Sequence, residues 1–174
     1  MKYLVSFFVI IVMSFYTNVL RAENLTVFID MDKVMNESTA GKSLISKLEK
    51  INQKNIKEFK TKEDQLREDE NLLLSQKNIL SEDNYTEKLN NLREKVTKYN
   101  KSKQEKINSL SKKKMNASAK LLSAIKPILS EYSKKNNISI ILQKNNVVLG
   151  KTDLDITSNI IEITNTKIKS INLD

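Results

Sequence analysis

Two acidic pairs, Asp30 with Asp32 and Asp153 with Asp155, have a spacing at which carboxylates bind calcium or share a catalytic proton. Each pair lies where an apolar, strand-like segment passes into a helix-like one. Aspartates there cap helices and favour the positive end of the helix dipole, so capping is the preferred reading. A third cluster is "KSKQEKINSLSKKK", residues 101–114, where Lys101, Lys103, Lys106, Lys112, Lys113 and Lys114 face one acid, Glu105. On an inward surface this run attracts acidic partners through its collective field; on an outward one it is a solvated helix side. The chain has no Cys and no His, which removes disulfides, thiolate nucleophiles, the usual zinc sites and Ser-His triads. Glycines occur only at 41 and 150, so no phosphate-cradling loop exists and neither nucleotide nor any other cofactor is expected. These residues do not add up to an enzyme site.

The elements that position them are mostly helical. Two glycines and one proline in 174 residues leave few turns, which favours long uninterrupted helices. The formal net charge of +9 permits nucleic acid, an anionic membrane surface or acidic proteins as partners. Lys, Asn and Ile rise together in the products of AT-rich genomes, so the sign alone decides little. Residues 1–22 read as a secretory signal: Lys2, the apolar run "YLVSFFVIIVMSFY", and a small residue at Ala22 before Glu23. Leu20 is larger than the residue usual three places before a cut, and an uncleaved anchor is the alternative. Export argues against nucleic acid as a partner, and no aromatic-interleaved basic platform is present. Transient contact with an anionic membrane surface stays open.

"LTVFID", residues 25–30, alternates as a strand, "MDKVMNES", residues 31–38, then turns the chain, and Ser38 is placed to cap a long helix. Ile45, Asn52, Phe59, Leu66, Leu73 and Leu80 recur every seven residues, but their companion positions are mostly polar, which gives half of a coiled-coil seam. "SEDNYTE", residues 81–87, is expected to reverse the chain, with Asn84 capping a second helix. That helix repeats the half-seam through Leu89, Leu92, Val96 and Tyr99, fails at Lys103 and Lys106, and recovers from Leu110. Flexing is expected at the failure, and a kink at Pro127. "ISIILQ" and "VVLG" then read as two strands turned at Lys144–Asn146, and Asp155 or Thr157 caps a final helix carrying Ile160, Ile161, Ile163, Ile168 and Ile171.

The expected architecture is therefore α+β and mostly α. A helical hairpin, residues 38–136, projects from a small β body made of residues 23–37 and 137–174, behind a signal at 1–22. So small a core supplies only about 3–5 kcal/mol, and short strands leave unpaired edges. Self-association that closes the strands into a shared barrel solves both problems, so an obligate oligomer is expected.

The segments "VFIDMDKVMNESTAGKSL" and "ISIILQKNNVVLGKTDLDIT", with the polar hairpin between them and the Ile-rich tail, resemble the Skp/OmpH-type periplasmic chaperones. Asp30–Lys42 and Val147–Thr157 are the most specific parts, while the hairpin resembles many coiled coils. The resemblance implies a homotrimer with a β-barrel body and three prongs around a cavity, which holds unfolded outer-membrane proteins without ATP. Lipopolysaccharide binding has been suggested in the family, but no motif here carries such a site across. A structural coiled-coil spacer or envelope tether is the second function class, and an enzyme a distant third.

Overall fold

The computed structural model describes residues 25–173; the signal, residues 1–22, and the cut between Ala22 and Glu23 lie outside the described residues. Strand β1 is Leu25–Ile29, with Val27 and Ile29 in the core and Phe28 buried on the opposite side. Asp30 then caps a short helix, α1 (Met31–Glu37), by accepting the Lys33 N–H at 2.9 Å. The sequence reads this stretch as a turn. Met31 and Val34, three residues apart, bury on one side and make it a helix instead.

Ser38 ends α1 and starts α2 (Thr39–Ser75). Its N–H donates to the Val34 carbonyl at 3.2 Å, and its Oγ accepts the Gly41 N–H at 3.1 Å. The expected cap at Ser38 is present. At 1.5 Å per residue, the 37 residues of α2 span about 55 Å. The reversal comes earlier than expected, at residues 76–81, and Ser81 rather than Asn84 caps α3 (Glu82–Lys135). Ser81 Oγ accepts the Asn84 N–H at 3.4 Å, and starting there puts Glu82 and Asp83 in the first turn, where the helix dipole favours acids. The 54 residues of α3 span about 80 Å and continue past Pro127 for two more turns. Asn137, with φ of 53°, turns the chain out of the helix in the left-handed region that Asn tolerates better than most residues.

Strand β2 (Ile138–Gln143) pairs with β1 in parallel, from Leu25 opposite Ile138 to Ile29 opposite Gln143. The expected hairpin does not form: Lys144–Asn146 make a 3-10 turn, and residues 147–150 are not a strand. The chain crosses instead to the far side of β1, where Asp155 bridges Phe28 and the Ile156 N–H donates to the Phe28 carbonyl at 3.0 Å. Gly150 instead crosses the Phe28 ring so closely that a Cβ would lie 2.7 Å from Cε1.

Helix α4 (Thr157–Lys167) is locked to the sheet by a chain of donors. The Asp30 N–H donates to Thr157 Oγ1 at 2.9 Å, and the Thr157 hydroxyl and N–H both donate to Asp155, which also accepts Lys144 Nζ at 2.7 Å. Burial pushes the Asp155 carboxyl up, but the Lys144 ammonium and the Thr157 donors together hold it below its ordinary value. Asp30 caps α1 as expected, but neither Asp155 nor Thr157 caps α4: its N-cap is Ile156, with no side-chain cap bond, because the Asp155 carboxylate is engaged by Thr157 and Lys144 as an anchor instead. Asp32 and Asp153 are exposed.

The main core gathers Val27, Ile29, Val34, Ile138, Ile156 and Ile160 against Leu44 of α2 and Ala117, Leu121, Ile125 and Ile128 of α3. The base of the hairpin is therefore inside the same apolar cluster as the sheet. The last helix is shorter than expected. It stops at Lys167, where Ile168 turns to extended backbone, and residues 168–173 run back along the hairpin base with Ile168, Ile171 and Leu173 packed on the core.

Candidate functional site

The hairpin changes character along its length. At the base its seam is apolar and closed. Around its middle, Phe59 meets Tyr99 edge-on, with ring centroids 6.5 Å apart. Glu63 Oε1 accepts both the Tyr99 hydroxyl at 2.5 Å and Lys103 Nζ at 2.7 Å, while Lys106 reaches across to Glu58. Lys103 Nζ also lies 5.5 Å from the Phe59 ring centre and 5.6 Å from that of Tyr99, within cation–π reach. Further out, Lys95 pairs with Asp69 at 2.7 Å and Lys88 donates to Gln76 at 3.0 Å. Leu73 is buried near the tip, whereas Ile79 at the turn is 81% exposed.

The interruption read at Lys103 and Lys106 is thus bridged: where an apolar layer is missing, each lysine crosses to a glutamate on α2. These pairs are half-exposed, and such contacts contribute little one at a time. They specify register more than they add strength. A cavity of about 600 Å³ opens beside them, lined by Phe59 and Tyr99 and by Lys54, Lys57 and Lys62 among others.

The six lysines singled out from the sequence divide accordingly. Lys103 and Lys106 are committed to the seam, and Lys113 donates to the Leu173 carbonyl at 3.4 Å. Lys101, Lys112 and Lys114 are exposed and make no ion pair among the described residues. Their clustering was visible in the sequence; their partners were not, because a partner on the other helix depends on the register of the whole hairpin. A second surface went unnoticed in the sequence. Ile140 and Leu142 of β2, with Val148 and Leu149 beyond it, are exposed around the sheet.

The seam predicts a pH response. Hydrogen bonds from Lys106 to Glu58, and from Lys103 and Tyr99 to Glu63, hold both carboxyls below their ordinary values. A depressed carboxyl stabilises the fold above its unfolded-state pKa, and the contribution is lost as pH falls through the folded value. The melting temperature should therefore stay flat from about pH 7 to about 5 and fall only below about 4, near the free glutamate pKa. Glu58→Gln/Glu63→Gln should flatten that acid-side fall in a far-UV circular dichroism melt.

Among the described residues no group of three or more His, Cys, Asp or Glu could hold a metal ion, and no helix is long and apolar enough to cross a membrane. No curated protein matches the chain in sequence. The family model described as "Outer membrane protein (OmpH-like)" matches residues 26–163. In fold, the chain is similar to the crystal structure of an OmpH-like outer-membrane chaperone candidate from Caulobacter crescentus CB15. The TM-score is 0.81 at 17% identity, with 86% of this chain and 88% of that one covered. The match spans both halves of the small sheet and the whole hairpin between them, and on that ground the chain belongs to the OmpH/Skp-like family of periplasmic chaperones.

Proposed function

We propose that this protein is an ATP-independent holdase. It is exported to the periplasm, assembles as a trimer through its sheets, and shelters unfolded outer-membrane proteins in the space between the hairpins. One observation carries the reading: a two-stranded sheet with apolar Ile140, Leu142, Val148 and Leu149 exposed around it roots an arm about 80 Å long. An unpaired edge beside exposed apolar side chains favours pairing with another copy, and three copies closing into a barrel would leave the arms around a hollow. The arms are polar enough to stay soluble and open enough to make many weak contacts. A holdase works by binding the unfolded client in preference to the folded one, so no nucleotide is required. The family is non-catalytic, in keeping with that mechanism.

The test is dilution of a urea-unfolded outer-membrane barrel protein into buffer, followed by light scattering. A stoichiometric amount of the holdase should suppress the signal. A coiled-coil spacer or tether would leave it unchanged, and sedimentation of the same sample as a stable monomer would remove the trimer.

The free lysines supply an electrostatic component. Lys101, Lys112 and Lys114 project from one helix and attract acidic clients through their combined field. Raising salt from about 0.05 to about 0.5 M shortens the Debye length to a few ångströms and should weaken capture severalfold. Lys101→Gln/Lys112→Gln/Lys114→Gln should remove most of that salt dependence. Capture that ignores both salt and these substitutions would eliminate the electrostatic part.

A further inference from the structure

The segment after Lys167 does not end at the body. Its backbone extends from Ile168 and returns along the hairpin base, with Ile168, Ile171 and Leu173 packed on the core. Lys47 of α2 donates to the Ile171 carbonyl at 3.1 Å, and Lys113 of α3 donates to the Leu173 carbonyl at 3.4 Å. Both lysines are half-buried, and they approach the tail from different helices. Two features define what this groove recognises. Its polar contacts with the tail end on backbone carbonyls, which every peptide carries. Its apolar contacts take Ile168, Ile171 and Leu173; the last two stand two apart, the period at which an extended chain puts side chains on one side.

We infer that the groove between the bases of α2 and α3 is a binding site for extended peptides with alternating apolar residues, and that residues 168–173 are its resident, displaceable occupant. The inference deepens the holdase reading and rests on it for the identity of the natural ligand. Strands of outer-membrane barrels alternate apolar and polar residues along their whole length, so an unfolded barrel protein offers many such segments. The tail competes at high effective concentration because it is tethered. A lone short peptide is excluded most of the time, whereas a client carrying many matching segments outcompetes the tail repeatedly. The groove would then stay covered when no client is present.

The probe is a fluorescein-labelled peptide of the tail sequence, Ile-Lys-Ser-Ile-Asn-Leu, with binding read by fluorescence anisotropy. Three forms of the full protein are compared: unchanged, Ile168→Ser/Ile171→Ser/Leu173→Ser to release the tail, and Lys47→Cys/Ile171→Cys joined by a short bismaleimide to hold it in place. The chain has no native cysteine, so the crosslink is unique. A groove free about a tenth of the time predicts about tenfold tighter binding to the released form than to the unchanged protein. The crosslinked form should bind no peptide, while its singly alkylated control, which carries the same two substitutions with the tail left free to move, still binds. Equal affinity in the crosslinked form and its control overturns the inference, even if the serine variant fails to fold. So does absence of binding to a serine variant whose circular dichroism is unchanged. The expected peptide pattern without suppression of client aggregation by any form supports the groove and counts against the holdase reading.

Discussion

Gly41→Ala should lower the stability of the protein by about 3 kcal/mol or more, at the upper end of what overpacking costs. Gly41 is the third residue of α2 and is buried where α1 folds back against it. A Cβ there would lie 1.8 Å from the Met35 carbonyl oxygen and 2.7 Å from its carbon. Both are main-chain atoms of the preceding helix, so no side-chain rotation relieves the clash. Relief requires moving α1 away from α2, and Val34 of α1 is fully buried in the core. Chemical denaturation at fixed protomer concentration should show a lower urea midpoint with an unchanged slope, because the native and unfolded surfaces stay the same. Gly150→Ala is the internal contrast. It also meets an atom at 2.7 Å, but that atom is the edge of the Phe28 ring, which can shift, so the loss should be smaller. An unchanged midpoint for Gly41→Ala would mean that α1 does not sit where it is described.

Leu121→Ala should cost about 3–4 kcal/mol, within the range for a fully buried leucine truncated in a core that relaxes only partly. Leu121 lies on α3, inside the segment that the sequence assigns to the projecting hairpin, yet it is 0% exposed beside Ile125 and Ile160. Truncating it leaves a hole where arm and sheet share one core. Ile79→Ala at the distal turn, on a side chain 81% exposed, should change stability by less than about 0.5 kcal/mol. Paired thermal melts of the two variants measure the gradient along the arm. Equal losses would mean that arm and body unfold independently.

These sites mark how far the sequence could be followed. β1, the Ser38 cap, the two long helices and the cap at Asp30 were legible, because each depends on local chemistry: alternation, a hydroxyl before a helical run, a carboxylate at a helix start. The turn at residues 76–81 was misplaced because Ser81 and Asn84 are both competent caps three residues apart, and only the acidic first turn chooses between them. The late hairpin was expected and does not form, for a non-local reason. Val147–Leu149 have strand-like composition, but the chain beyond them crosses to the far side of β1, where Gly150 passes over the Phe28 ring and Asp155 bridges Phe28. Lys103 and Lys106 looked like defects because the seven-residue pattern contains no information about the helix opposite. Glu63 and Glu58 turn those defects into contacts, and nothing near the lysines in sequence announces it. The course of residues 168–173 was likewise invisible, since an Ile-rich stretch reads the same in a helix or in an extended segment lying on a core.

The parallel pairing of β1 with β2 sets the order in which the molecule can be made. The Asp30 N–H waits for a hydroxyl 127 residues later in the chain, so the first strand is synthesised long before anything exists for it to join. Bringing such distant segments together is slow when the intervening chain is loose, because closure entropy comes first. Here the intervening chain is two antiparallel helices, which form from local contacts and deliver both ends of the sheet to the same place. The arm is therefore also the assembly jig of the body, and substitutions that delay its zipping should leave newborn chains stalled with β1 uncovered, even where the finished protein is as stable as before.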